Sequence, residues 1–434
     1  MRVLVLAPTT FFSDRGCHVR ILEEARAVIP RGVELRLVTY HIGRDVPGIP
    51  TQRIASIPWY RKLEAGPSWH KPYLDLLLLF KALKVARTFK PHLIHAHIHE
   101  GAFIGAILKK ILRVPMLFDC QGSLTAEITD HKFVRPGSLL QRLFATLERW
   151  INLSSDFIVT SASPTVDLLL AGGVPRERVR ALIDGVDTGV FTPQPKQEIR
   201  ARLGLPPDRR IVSYLGVLNS YQGVDLLLEA AALLQRQGAQ LHFLVMGFPE
   251  GGYREKAEAM GLAGMFTFTG RIPYQEAPLY LCAGDIAVSP KISLTEANGK
   301  LFNYIACGLP TVAFDTPVNR EILGDAALYA KFGDAAELAG AIGRLAGDRE
   351  LREELGLEGR ERAVSEHSWQ ARGRELEEIY RQLLKKTSKP LVTENLWKVY
   401  RPRRCFGFPP SVFGFLGFSQ IFSVAKGFGF GLRW

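Results

Sequence analysis

Between Ser289 and Asp315 the chain reads SPKISLTEANGKLFNYIACGLPTVAFD, a run that concentrates side chains able to do chemistry. Lys291 and Lys300 offer ammonium groups and Glu296 a carboxylate, while Thr295, Asn298 and Asn303 can donate and accept hydrogen bonds. An apolar, strand-like run ends at Ser289-Pro290. A helical pattern starts near Lys300 and stops at Gly308-Leu309-Pro310, and Thr311–Phe314 reads as the next strand. In an open parallel sheet, ligands bind where such loops leave strand carboxyl ends and enter helix N-termini. Lys300 and Asn303 are one helical turn apart, so both can face a ligand lying across the first turn. The stretch is expected to hold an anionic, hydroxyl-rich group.

Three further groupings could carry chemistry. His95, His97 and His99 recur at a spacing of two, which puts them on one face of a strand. No neighbouring carboxylate or cysteine completes a ligand set, so no metal site is expected. His99 and Glu100 are instead expected to line a cleft at that strand's carboxyl end. Asp184 and Asp187 read as turn residues of a connector. Trp59, Tyr60, Arg61 and Lys62, then Trp69, His70, Lys71 and Tyr73, mix aromatics with cations, and Arg142, Arg149 and Trp150 do so within Leu139–Leu153. That mixture suits either an anionic membrane surface or ordinary packing.

These residues need a scaffold, and the pattern supplies one. Strand-like runs at Val3–Leu6, Glu34–Thr39, Leu93–His95, Met116–Asp119, Phe157–Thr160 and 180–183 alternate with helical runs at His18–Val28, Tyr73–Phe89, Ala102–Ile111, Leu139–Leu153 and Pro164–Ala171. Such alternation signals βαβ units and a parallel sheet. After Asp184-Gly185-Val186-Asp187 and a proline-containing break, it restarts with strands at Ile211–Leu215, 242–245, Phe266–Thr269, Ile286–Ser289 and Thr311–Phe314. Two doubly wound α/β domains are expected, residues 1–190 and 191–367, facing across a crevice. A last helix over about 368–386 is expected to turn back onto the first domain.

With 434 residues, 47% hydrophobic and 23% charged, the chain has ordinary globular composition. Its formal net charge is +12, but nine Lys/Arg against Glu394 alone over Lys385–Trp434 account for +8 of that. A basic nucleic-acid-binding body is therefore not expected. Cys17, Cys120, Cys282, Cys307 and Cys405 are scattered without a C-x-x-C pair, which argues against a disulfide scaffold and fits a reducing cytoplasm. Neither a secretory signal nor a spanning helix is read. The Phe/Gly-rich basic segment 388–434 has no periodicity and is expected to be irregular.

Taken in order, several landmarks resemble retaining glycosyltransferases of family 4, which have the GT-B fold of two Rossmann-like domains. They are VLVLAPTTFFSDRGCHVRILEEARAV, the connector DGVDTGVF where the family usually reads NGVD, SYLGVLNSYQGVDLLLEAAALL, FTGRIPYQEAPLYLCAGDIAVSP and GKLFNYIACGLPTVAFDTPVNREIL. The resemblance covers residues 1–386. It implies transfer of a sugar from a nucleotide-diphosphate donor, bound by the second domain, to an acceptor hydroxyl held by the first. No metal cofactor is implied, because basic side chains and helix N-termini would neutralise the leaving diphosphate.

The resemblance also assigns roles to positions. The family's two glutamates fall at Thr295 and Asn303, with Glu296 one place on as the substitute that could reach the sugar. The arginine and lysine that usually clamp the diphosphate are replaced by Val217 and Gln222, as in a subgroup sharing the YQG variant. Each lost charge-assisted contact would cost roughly 1.5–3 kcal/mol uncompensated. Lys300, Lys291, Gln222, Asn303, Gly216 and the loop at Gly16 are therefore the expected donor-binding set. In LFDCQGSL, Gln121 stands where the family often has a histidine, and Asp119 lies on the same side of the strand. Asp119, Gln121 and Glu296 are the expected catalytic candidates. The implied function is glycosyl transfer in the cytoplasm, with a lipid-linked or cell-envelope glycan at the membrane as the expected acceptor. A nucleotide-sugar epimerase and a non-catalytic scaffold of the same fold are the alternatives.

Overall fold

In a computed structural model the described residues are 1–13, 16–61, 68–130, 133–250, 252–292 and 297–388. The expectations for Thr295, Glu296, Lys62 and the Phe/Gly-rich segment lie outside them. Residues Met1–Ser388 form one compact unit.

The strands are β1 Arg2–Ala7, β2 Glu34–Thr39, β3 Thr51–Arg53, β4 Leu93–His97, β5 Met116–Cys120, β6 Phe157–Thr160, β7 Val179–Ala181, β8 Arg210–Leu215, β9 Leu241–Met246, β10 Phe266–Gly270, β11 Ile286–Ser289, β12 Thr311–Phe314 and β13 Ala327–Ala330. The helices are α1 Gly16–Val28, α2 Lys71–Phe89, α3 Ile98–Leu112, α4 Leu124–Asp130, α5 Leu139–Ser154, α6 Ser163–Ala171, α7 Lys196–Leu203, α8 Val224–Arg236, α9 Tyr253–Ala259, α10 Ala277–Cys282, α11 Lys300–Ala306, α12 Pro317–Leu323, α13 Ala335–Gly347, α14 Arg349–Glu366 and α15 Trp369–Ser388.

Two all-parallel sheets result, ordered β3-β2-β1-β4-β5-β6-β7 and β10-β9-β8-β11-β12-β13. Their central strands are apolar on both faces because helices cover both. In β1, Leu4 and Leu6 pack into one core, and Val3 and Val5 into the core on the opposite face. β8 divides likewise, with Ile211 on one side and Val212 and Tyr214 on the other. In α15, Leu376, Ile379, Tyr380 and Leu383 join the Val3 and Val5 side of the first sheet. The chain thus crosses between sheets twice, and the crossings are bonded together: Val186 N–H donates to the His367 carbonyl at 2.8 Å.

Each sheet reverses strand order once, between β1 and β4 and between β8 and β11. These reversals open crevices at strand carboxyl ends, where ligands bind in such folds. Strand β4 runs on to His97, so His99 sits in α3 rather than on a shared strand face with His95 and His97. The polar trio of β3 and the short β13 carry no alternation that sequence reading could detect.

Candidate active site

A cavity of about 220 Å³ lies at the carboxyl ends of β8, β9, β10 and β11, facing Gly16 and Val19 of α1 and the Asp184-Gly185 connector. Glycines bring its walls together. Gly216, after β8, has φ +149°, and a β-carbon there would stand 2.7 Å from the Lys300 ammonium. Gly247, after β9, packs against the Gly216 carbonyl, and Gly223 at φ +72° packs against the Pro290 carbonyl. Only a residue without a side chain fits these approaches.

Lys300 is the first residue of α11. Its Nζ donates to Gln222 Oε1 at 2.8 Å, lies 3.4 Å from the Tyr214 hydroxyl, and sits 4.4 Å from the centre of the Tyr214 ring. Among the described residues no carboxylate pairs with it. Burial, then the nearby Lys291 charge, hold its pKa well below the ordinary lysine value. Lys291 is itself buried and donates to the Ala297 carbonyl at 2.8 Å. Asn298 is buried between Ser289 and Asn319, donating 3.0 Å and 2.9 Å bonds that brace the loop.

The expected donor-binding residues Gly16, Gly216, Gln222, Lys291, Lys300 and Asn303 all line this cavity. Glu296 lies outside the described residues. Asp119 and Gln121 are placed elsewhere. Asp119 is wholly buried, accepting from Arg20 through both oxygens at 2.8–3.0 Å, from Gln121 Nε2 at 2.9 Å, and pairing with His97 Nδ1 at 2.8 Å. Burial pushes its carboxyl up, but Arg20 and His97 bring it far below the ordinary range. Its lone pairs are committed to the protein interior, so it organises the fold beneath the cleft.

Arg20, which sequence reading passed over, is the hub of that interior. Nε and Nη2 reach Asp119, Nη2 also lies 3.1 Å from Glu24 Oε1, and Nη1 donates to the Leu182 carbonyl at 2.9 Å and Asp184 Oδ1 at 2.6 Å. Four of the five guanidinium N–H groups donate hydrogen bonds to these partners, and Glu24 adds an ion pair without a hydrogen bond. Arg20 lines the cavity, but most of its donors are committed to the protein. The signal was present in the i, i+4 pair Arg20 and Glu24 within the first helix.

Contrary to the sequence expectation, carboxylates do stand beside the histidines in the fold. Glu24 and Asp119, from other elements, gather with His95 and His97, the ligand-type atoms lying within 4.8 Å of one another. The Arg20 guanidinium already occupies this group as its counter-ion. His99 lies 3.5 Å from Glu148 and packs on Phe118, and Glu100 pairs with Lys71. Asp184 is more than a turn residue, since it reaches the cavity wall. Arg271, also missed, follows β10, lines the cavity and lies 5.0 Å over the Phe248 ring.

The cavity wall therefore carries Lys291, Lys300 and Arg271 against a single described acid, Asp184. Such a wall attracts an anion. Profiles of known families match both halves of the chain, a "Glycosyl transferase 4-like domain" over residues 15–185 and "Glycosyl transferases group 1" over residues 195–362. The sequence is similar to a D-inositol 3-phosphate glycosyltransferase from Acidothermus cellulolyticus, at 29% identity over 371 residues, covering 78% of this chain and 80% of that one. The fold is similar to that of sucrose-phosphate synthase from Thermosynechococcus elongatus, with a TM-score of 0.76 at 20% identity over 89% of this chain and 100% of that one. It is also similar to that of Anabaena HepE in complex with UDP-glucose, with a TM-score of 0.71 at 16% identity over 88% and 100%. Paired sheets, a cationic crevice between them and adjoining family matches lead to one assignment: the chain belongs to glycosyltransferase family 4 and is a glycosyltransferase of the GT-B fold.

Proposed function

We propose that the protein transfers a sugar, with retention of anomeric configuration, from a nucleotide-diphosphate sugar to a hydroxyl of a lipid-linked or cell-envelope glycan. One observation carries the donor half: Lys300 is held at a strand-order reversal, without a carboxylate partner among the described residues, across a gap that only glycine at 216 leaves open. A buried ammonium lacking a counter-ion is unfavourable until an anion arrives. A diphosphate supplies that anion. Lys291 and Arg271 stand on the same wall, and α1 presents its N-terminus at Gly16.

In this reading the protein's own cations, not a metal, balance the charge that develops on the leaving diphosphate. They make up for Val217 and Gln222, and Gln222 serves by holding Lys300 in place. That HepE was crystallised with UDP-glucose supports a nucleotide sugar as donor.

The acceptor half rests on exposed residues ahead of α2 and at the start of α5. Trp59, Trp69 and Leu139 are 70%, 77% and 82% exposed, and Trp69 lies against Phe133 just ahead of α5, at 5.0 Å between ring centres. Exposed aromatic and aliphatic side chains beside Arg142 suit a membrane-associated acceptor. Among the described residues, no helix is long and apolar enough to cross a membrane.

The test is product formation from a panel of nucleotide sugars with glycolipid and polyol acceptors, with the product's anomeric configuration read by NMR. Retained configuration and acceptor-dependent release of nucleotide are expected. Inversion would contradict the mechanism, and conversion of the donor without acceptor would favour the epimerase.

A further inference from the structure

Within the cationic cavity one acid is out of place. The Asp184 side chain is 14% exposed and lines the wall, on the connector between the two sheets. Its two oxygens have different surroundings. Oδ1 accepts from Arg20 Nη1 at 2.6 Å. Oδ2 faces the donor loop: a β-carbon on Gly299, the residue before Lys300, would lie 3.6 Å from it. Among the described residues no donor reaches Oδ2.

A carboxylate repels phosphate, so it cannot serve the part of the ligand that Lys300 and Lys291 attract. It can serve a part that carries hydroxyls, since an O–H to carboxylate bond is charge-assisted and about twice as strong as a neutral one. The cavity wall therefore offers two kinds of group, cations for the diphosphate and a carboxylate for a polyol. On the donor reading above, we propose that Asp184 reads the hydroxyls of the transferred sugar through Oδ2, and that Arg20 positions it. Arg20 acts through Asp184, since four of its five N–H groups are hydrogen-bonded within the protein. It fixes the rotamer of Asp184 and tethers it to Asp119 and α1. The connector thereby takes part in recognising the sugar end of the donor.

Acceptors also carry hydroxyls, and the experiment separates the two sources. Affinities for UDP against UDP-glucose, and for GDP against GDP-mannose, are measured by calorimetry for wild type, Asp184→Asn and Gly299→Val. Asp184→Asn keeps an oxygen for Arg20. Gly299→Val fills the gap before Oδ2 without touching Arg20, which keeps the question answerable if the first variant misfolds. For the preferred pair, both variants should bind the bare nucleotide within about twofold of wild type. Both should lose at least tenfold in affinity for the nucleotide sugar. A merely structural role for Asp184 would lower both affinities and the melting temperature together, and would overturn the proposal. So would an unchanged sugar increment, or a defect confined to acceptor KM. Wild-type protein indifferent to every nucleotide sugar would instead remove the donor reading, and Asp184's role with it.

Discussion

Gly216 and Lys300 come from different elements of the second sheet, yet each fixes what the other can be. A β-carbon on Gly216 would stand 2.7 Å from the Lys300 ammonium and 3.3 Å from the Tyr214 hydroxyl beneath it. The ammonium in turn closes the space above Gly216, held there by Gln222.

Gly216→Ala should therefore act as a lysine variant without altering the lysine. The added methyl displaces Nζ, and φ +149° strains any residue with a side chain. Nucleotide affinity should fall at least tenfold while the circular dichroism spectrum is retained. Unchanged affinity would mean that Lys300 is not held at the ligand.

Donor binding should take up a proton. The free protein holds Lys300 well below the ordinary lysine pKa, through burial first and Lys291 second, and a bound diphosphate raises it again. The complex then carries more protons than the free protein between those two values, so affinity must fall as pH rises through that window. Calorimetry in buffers of different ionisation enthalpy should show uptake in wild type, and none in Lys300→Met.

Arg20→Ala should cost about 3–5 kcal/mol of stability, because it strands Asp119, Glu24 and Asp184 without their guanidinium. Burial already raises the Glu24 and Asp184 carboxyls, with Arg20 only partly offsetting it. Arg20→Lys, with three donors instead of five, should also be destabilising. Denaturant midpoints measure both. A shift under about 1 kcal/mol for Arg20→Ala would show that the hub is not structural.

His367 makes stability pH-dependent. Its Nε2 pairs with the Ile322 carbonyl at 3.0 Å, its Nδ1 is buried without a partner, and burial lowers its pKa to about 4. The unfolded chain, with an ordinary histidine near 6.5, binds more protons between those values. The contribution is thus complete above about pH 6.5 and lost as pH falls toward 4. Denaturant midpoints of His367→Gln should slope less steeply across that range than those of wild type. Parallel slopes would contradict the assignment.

The fold was legible because its central strands are apolar on both faces and its helices periodic. The strand-to-helix passage from Ser289 through Lys300 to Gly308 was read to within a residue or two. What local pattern hides is what only folding assembles. His95 and His97 acquire Glu24 and Asp119 from α1 and β5. Asp119 is drawn away from the cleft by Arg20, 99 positions earlier. Asp184 looks like a turn residue until the connector is seen to form the cavity wall. Arg271 is an isolated basic residue until β10 ends beside β9. Partners that far apart in sequence leave no spacing to detect.

The central claim is that Lys300 holds the diphosphate of a nucleotide-sugar donor, and direct titration of wild type and Lys300→Ala with matched nucleoside diphosphates and nucleotide sugars tests it. Wild type should bind at least one nucleotide sugar saturably, and the variant at least tenfold more weakly, a loss of about 1.4 kcal/mol or more. Equal affinity in the two proteins, or no binding to any nucleotide sugar by the wild type, would contradict it.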